Sequence, residues 1–251
     1  MATPAHQPEP EGETMNIRAL VAEVVGTFVL VGIGSMSIVS AIGSNQPAGP
    51  LGFAPFGFGL GLMAAIAIAG EASGGHFNPA VTLAALLDRR IDVVNAIGYV
   101  VAQVIGAFAA SFAIVVLVAQ AAVDPTRNTV GVEVQKAFAT EVVLTAIFVA
   151  VILTVTRRAV RQAVFIIPLT LTVIHFAGIP ISGASVNPAR SLAPAIVAGN
   201  LENLWVYLTA PFVGAVLGWA VYRYLTPPDE QLDTVLEEDA IEETLEPEVD
   251  A

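Results

Sequence analysis

Cysteine is absent from the 251-residue chain, lysine occurs once, at Lys136, and histidine three times, at His6, His76 and His175. No disulfide, thiolate nucleophile or thiolate-held metal can therefore form, and cysteine usage says nothing of the redox compartment. Three scattered histidines make neither a metal-ligand set nor a nucleophilic arrangement, so the chain reads as no enzyme, with no metal and no cofactor. Charge is scarce too. Asp, Glu, Lys and Arg supply 13% of the residues, about half the share of an ordinary soluble domain.

Apolar residues fill the space instead. They make up 55% of the chain, and the mean hydropathy is +0.75. Long apolar runs lie at 19–41, 51–70, 93–118, 137–155, 163–179 and 204–225, each near the ~20 residues that cross ~30 Å of hydrocarbon. Gly and Pro occur inside them, as membrane helices tolerate. The first run is too long for a signal-peptide core and lacks a small-residue cleavage site, so it is expected to stay as a span. The fold class expected is an all-α membrane protein with six transmembrane helices.

The net charge of -12 belongs to the ends. Glu9, Glu11 and Glu13 precede the first run, and residues 229–250 hold eleven acids; without them eight acids face ten basic residues. Both tails, 1–15 and 226–251, have the Pro- and Glu-rich composition of solvated, disordered chain. Orientation follows from the arginines. If the spans alternate, Arg18, Arg89, Arg90, Arg157, Arg158, Arg161 and Arg223 share one side, and Arg127 and Lys136 the other. That bias puts both termini of a multi-pass cell-membrane protein in the cytoplasm. It requires "FNPAVTLAALLDRR" to dip into the membrane and return to the side it left.

Two stretches interrupt the apolar text in nearly the same words: "SGGHFNPAVTL" at 73–83 and "SGASVNPARSL" at 182–192. Asn is a preferred helix N-cap, and Pro suits the first helical position because that N–H is unpaired anyway. Asn78-Pro79 and Asn187-Pro188 thus start helices, predicted over Pro79–Leu87 and Pro188–Ala198. Nine residues span roughly 14 Å, half the hydrocarbon. "AEVVGTFVLVGI" (22–33) matches "TEVVLTAIFVAV" (140–151), and "AQVIGAF" (102–108) matches "APFVGAV" (210–216), at offsets of 118 and 108. The chain is therefore two repeats, 16–120 and 136–225, within one domain, 16–225. Each has three spans, an odd number, so the second lies inverted, the arrangement that builds a permeation site from broken helices meeting at the midplane.

Paired Asn-Pro-Ala boxes (Asn78, Pro79, Ala80; Asn187, Pro188, Ala189), with Glu23 and Glu141 in spans one and four, resemble the aquaporin (major intrinsic protein) family over residues 17–225. The likeness is to its water-selective branch in prokaryotic form. It implies a passive channel for water or small neutral solutes, a homotetramer in lipid with one pore per subunit and no nucleic-acid partner. Phe58, His175, Ala184 and Arg190 match the family's constriction positions: two bulky groups limit size, His175 and Arg190 offer donors, and Ala184 a backbone carbonyl. Physics agrees on Arg190, since a cation inside a membrane half-helix must face water or partners. Two half-helix N-termini aim positive dipole ends at one point, repelling cations and protons. Asn78 and Asn187 are expected to cap the helices and offer N–H groups to passing water.

Glu23 and Glu141 each read as the anchor of one re-entrant loop, supplying acceptors to its backbone N–H groups. A proton relay is the alternative, disfavoured because a water channel must not conduct protons. His76 is expected to line the cytoplasmic vestibule, and the Gly57-x-Gly59-x-Gly61 run to serve close helix packing. Among rivals, a secondary transporter would place ion-coupling carboxylates where this chain has Arg190. A glycerol facilitator is closer: Ser191 and Ala195 fit the water branch, but Leu208 after Tyr207 is facilitator-like.

Overall fold

The computed structural model describes residues 16–44, 49–157 and 162–226, and among them all regular structure is helical. The two tails, residues 1–15 and 227–251, lie outside it, as do Arg158 and Arg161. Six helices are long and apolar enough to cross a membrane: α1 (Ile17–Gly43), α2 (Ala54–Ser73), α4 (Val93–Leu117), α5 (Val134–Arg157), α6 (Ala163–Ser182) and α8 (Leu204–Leu225). Two short helices, α3 (Pro79–Leu87) and α7 (Pro188–Ala198), start at the expected Asn-Pro steps.

Helix ends depart from the apolar runs where polar groups take over. The side chain of Asn16 accepts from the Ala19 amide and starts α1 before its run begins. Asp92 does the same for α4, accepting from the Val94 and Asn95 amides. The second helix starts later than its run, because Gly49–Gly52 forms a 3₁₀ turn and Pro55 sits in the first turn of α2. It then continues through a π-helical stretch, Ile66–Gly70, to Ser73.

Small residues set how closely the helices approach. A methyl group on Gly106 of α4 would lie 2.3 Å from the Val24 carbonyl oxygen of α1, and one on Gly214 of α8 would lie 2.5 Å from that of Val142 in α5. Val24 and Val142 are 118 residues apart, so the same crossing is made once in each repeat. The glycines of α2 seat it between neighbours: a methyl on Gly57 would strike Ser37 of α1, and one on Gly59 would strike Thr172 of α6.

The first half-helix returns to the side it came from. Arg90, just past α3, donates to the Thr156 hydroxyl, the Leu153 carbonyl and the Tyr222 hydroxyl, at the C-terminal ends of α5 and α8. Asn16, at the start of α1, shares a surface recess with Arg89 and Arg90. The end of α7 is tied to the opposite loop, where the Gln120 side chain donates to the Val197 carbonyl at 2.8 Å.

Candidate permeation site

Two buried carboxylates accept hydrogen bonds from the loops that lead into α3 and α7. Glu23 accepts from the Ser73 hydroxyl (2.7 Å) and the His76 amide (3.0 Å) on one oxygen, and from the Phe77 amide and Gln103 side chain (both 2.7 Å) on the other. Glu141 repeats the pattern with the Ser182 hydroxyl at 2.7 Å and the Ser185 and Val186 amides at 2.8 Å. Among the described residues its second oxygen has no fourth donor, because Pro211 stands where Gln103 does in the first repeat. These bonds offset real strain: Phe77 and Val186, neither glycine, sit at φ +48° and +45°, a region that costs about 1–3 kcal/mol per residue.

The two loops then exchange hydrogen bonds. Asn78 caps α3 by accepting from the Ala80 amide and sends one side-chain N–H to the Val186 carbonyl at 2.8 Å. Asn187 caps α7 by accepting from the Ala189 and Arg190 amides and sends one N–H to the Phe77 carbonyl at 2.9 Å. Each amide keeps a second N–H, and both residues line a cavity of about 350 Å³. The N-termini of α3 and α7 thus meet at one place, with both positive dipole ends directed there.

Phe58, His175 and Arg190 come together on the wall of this cavity. The Phe58 and His175 rings lie face to face, centroids 4.5 Å apart and planes 16° from parallel. The Arg190 guanidinium carbon is 4.6 Å from the Phe58 ring centre. His175 Nδ1 is 2.8 Å from the Leu171 carbonyl oxygen. A carbonyl only accepts, so Nδ1 carries the hydrogen, and in the neutral ring Nε2 is an acceptor. Arg190 carries only donors, whereas a neutral His175 ring with its Nδ1 hydrogen on Leu171 has an acceptor at Nε2. Ala184 is fully buried at φ +48° and does not lie on the cavity wall.

Arg190 is held by a loop that motif reading passed over. Its Nη1 donates to the Thr126 carbonyl at 3.3 Å and to Asn128 Oδ1. Asn128 Oδ1 also accepts from the Ser191 hydroxyl at 2.6 Å, and its Nδ2 donates to the Gly183 carbonyl at 2.7 Å. From Arg190 the cavity extends past Asn78 and Asn187 to His76, Arg90 and Thr156 at the far end. His76 Nδ1 is 3.1 Å from the Thr82 hydroxyl, and its ring meets Tyr99 edge-on. Leu30, Leu62, Val81, Phe148 and Ile167 supply apolar lining to the same cavity. Among the described residues no three His, Asp or Glu side chains gather as a metal site would need.

Residues 12–222 match the model of the major intrinsic protein family. The chain belongs to this family. It is 40% identical over 222 residues to glycerol uptake facilitator protein-like 6 of Lactiplantibacillus plantarum, covering 85% of this chain and all of that one. It is 38% identical over 227 residues to aquaporin Z of Photorhabdus laumondii, covering 83% and 97%. The structure of the aquaglyceroporin from Plasmodium falciparum superposes with a TM-score of 0.73 at 24% identity, covering 84% of this chain and 96% of that one. The six spans and two half-helices are therefore the aquaporin fold. As a major intrinsic protein this multi-pass membrane chain is a channel for water or small solutes, and the cavity is where its half-helices meet.

Proposed function

We propose that the chain is a passive water channel that excludes glycerol, ions and protons. The observation that carries this reading is the meeting of Phe58, His175 and Arg190 at one point of the cavity. Two rings in contact leave a passage too narrow for a three-carbon solute unless they part. A water molecule there can donate to His175 Nε2 and accept from Arg190, recovering bonds lost on leaving bulk water. Cations meet the Arg190 charge and the paired dipole ends of α3 and α7. Among the described residues that line the cavity there is no Asp or Glu to couple solute to an ion gradient, and on this reading flux runs downhill and does not saturate.

A glycerol facilitator is the second reading. Leu208 supports it, as do the apolar cavity wall and the relative named for glycerol uptake. The deciding experiment is stopped-flow light scattering on reconstituted vesicles. Fast shrinkage in sucrose without fast reswelling in glycerol supports the water channel; reswelling as fast as in an open-filter variant supports the facilitator.

The same reading makes the protein a homotetramer in the cell membrane, with a pore in each subunit and both termini in the cytoplasm. The side that holds Arg18, Arg89, Arg90, Arg157 and Arg223 supports the orientation. In this reading Glu23 and Glu141 are the anchors of the two loops, and His76 lines the cytoplasmic vestibule.

A further inference from the structure

The two Asn-Pro-Ala boxes differ in what surrounds the residue after the alanine. In the first that residue is Val81, and the neighbouring Thr82 hydroxyl accepts from the Gln103 side chain of α4 at 2.9 Å. In the second it is Arg190, Pro211 replaces Gln103 on α8, and a proline side chain cannot take the equivalent place. The polarity needed is also reversed. A guanidinium has only donors, so its surroundings must supply acceptors. The second repeat finds them outside itself, in the loop between α4 and α5.

We infer that Asn128 is the positioning residue that keeps Arg190 at the side of the passage and so sets its free width. This rests on Arg190 belonging to the filter proposed above. Asn128 is 5% exposed and Arg190 4%, so bulk water does not supply the acceptor that Asn128 Oδ1 provides. The same oxygen takes the Ser191 hydroxyl, and the amide nitrogen is tied to the Gly183 carbonyl. Asn128 therefore links the loop, the end of α6 and the first turn of α7. The loop is laid down independently of Arg190: the Gly131 amide donates to the Ile181 carbonyl at 2.9 Å, and the Thr126 hydroxyl to the Val123 carbonyl at 2.7 Å. Behind the guanidinium lie Asn128 and the Thr126 carbonyl; against it lies the Phe58 ring face. Without Oδ1, only the Thr126 carbonyl at 3.3 Å still holds the guanidinium from behind, against the ring and the water of the passage, and the guanidinium moves inward.

The test is a coupling experiment in reconstituted vesicles, with water and glycerol permeability normalised to protein. Asn128→Ala is expected to lower water permeability about tenfold, the worth of a hydrogen bond to a charged group. Asn128→Asp keeps the acceptor, loses the donor to Gly183 and should stay near wild type. Asn128→Ala added to Arg190→Ala should change nothing further, because its effect passes through the guanidinium. Should Asn128→Ala assemble poorly, Asn128→Leu keeps the branched shape without the acceptor and serves in the same comparison. An equal drop in both backgrounds, or an Asp variant as impaired as Ala, overturns the inference and leaves Asn128 a fold residue. If Arg190→Ala itself alters neither water permeability nor solute selectivity, the filter reading fails first. If it alters either and Asn128→Ala does not lower water permeability, this inference alone fails.

Discussion

Phe58 and His175 touch. Their rings stack at a centroid distance of 4.5 Å, although one belongs to α2 of the first repeat and the other to α6 of the second. A ring in this contact blocks any solute between the two, so size exclusion here depends on the bulk of both. Phe58→Ala with His175→Ala should raise glycerol permeability by about tenfold or more while water permeability persists. Stopped-flow reswelling in glycerol measures this directly. A wild type already as permeable as the double variant would make the facilitator reading correct.

Among the described residues Glu141 serves three donors and no cation within hydrogen-bond reach. Glu141→Gln retains one acceptor oxygen, whereas Glu141→Leu strands two backbone amides and a hydroxyl, each costing about 1–3 kcal/mol. The Leu variant should melt lower in detergent or fail to assemble, and the Gln variant should fall between it and wild type. Normal assembly of the Leu variant with an altered proton leak would point to a relay instead.

Mercurials act by bonding thiolates, and this chain has none. Water flux through the reconstituted channel should be unchanged by mercuric chloride at concentrations that leave the vesicles intact. Inhibition reversed by a thiol reagent would contradict the site described.

Gly183 and Gly199 separate backbone strain from contact. Both have positive φ, +81° and +72°. A methyl group on Gly183 would lie 3.0 Å from Asn128 Nδ2, while one on Gly199 would meet nothing within 4 Å. Gly199→Ala should cost only the backbone penalty, about 1 kcal/mol, with normal permeability. Gly183→Ala should lose more in thermal midpoint and also lower water permeability, by displacing Asn128. Equal effects of the two substitutions would show that the Asn128 contact yields freely.

The short helices α3 and α7 were legible because Asn-Pro carries its own physics: a cap, a missing N–H and a fixed φ. The duplicated text likewise made Glu23 and Glu141 legible as a pair. Asn128 was not, because its link to Arg190 spans 62 residues and lies in a loop with no copy in the other repeat. The fourth donor to Glu23 was hidden for a related reason: Gln103 aligns with Pro211, so the symmetry that revealed the rest breaks there. The approach of His175 Nδ1 to the Leu171 carbonyl one turn back was not legible either, since any buried helical histidine could have or lack it.

The reciprocal bonds from Asn78 to Val186 and from Asn187 to Phe77 have a consequence for biogenesis. Their partners are separated by 108 and 110 residues. A ribosome adding about 5–20 residues per second needs roughly 5–20 s to make that much chain. Throughout that interval the first loop has Glu23 as an acceptor for its amides but no mate for the Asn78 amide or the Phe77 carbonyl. The nascent first half is therefore an unsealed half-shell in the bilayer, and the conduit comes into being only when the second loop arrives.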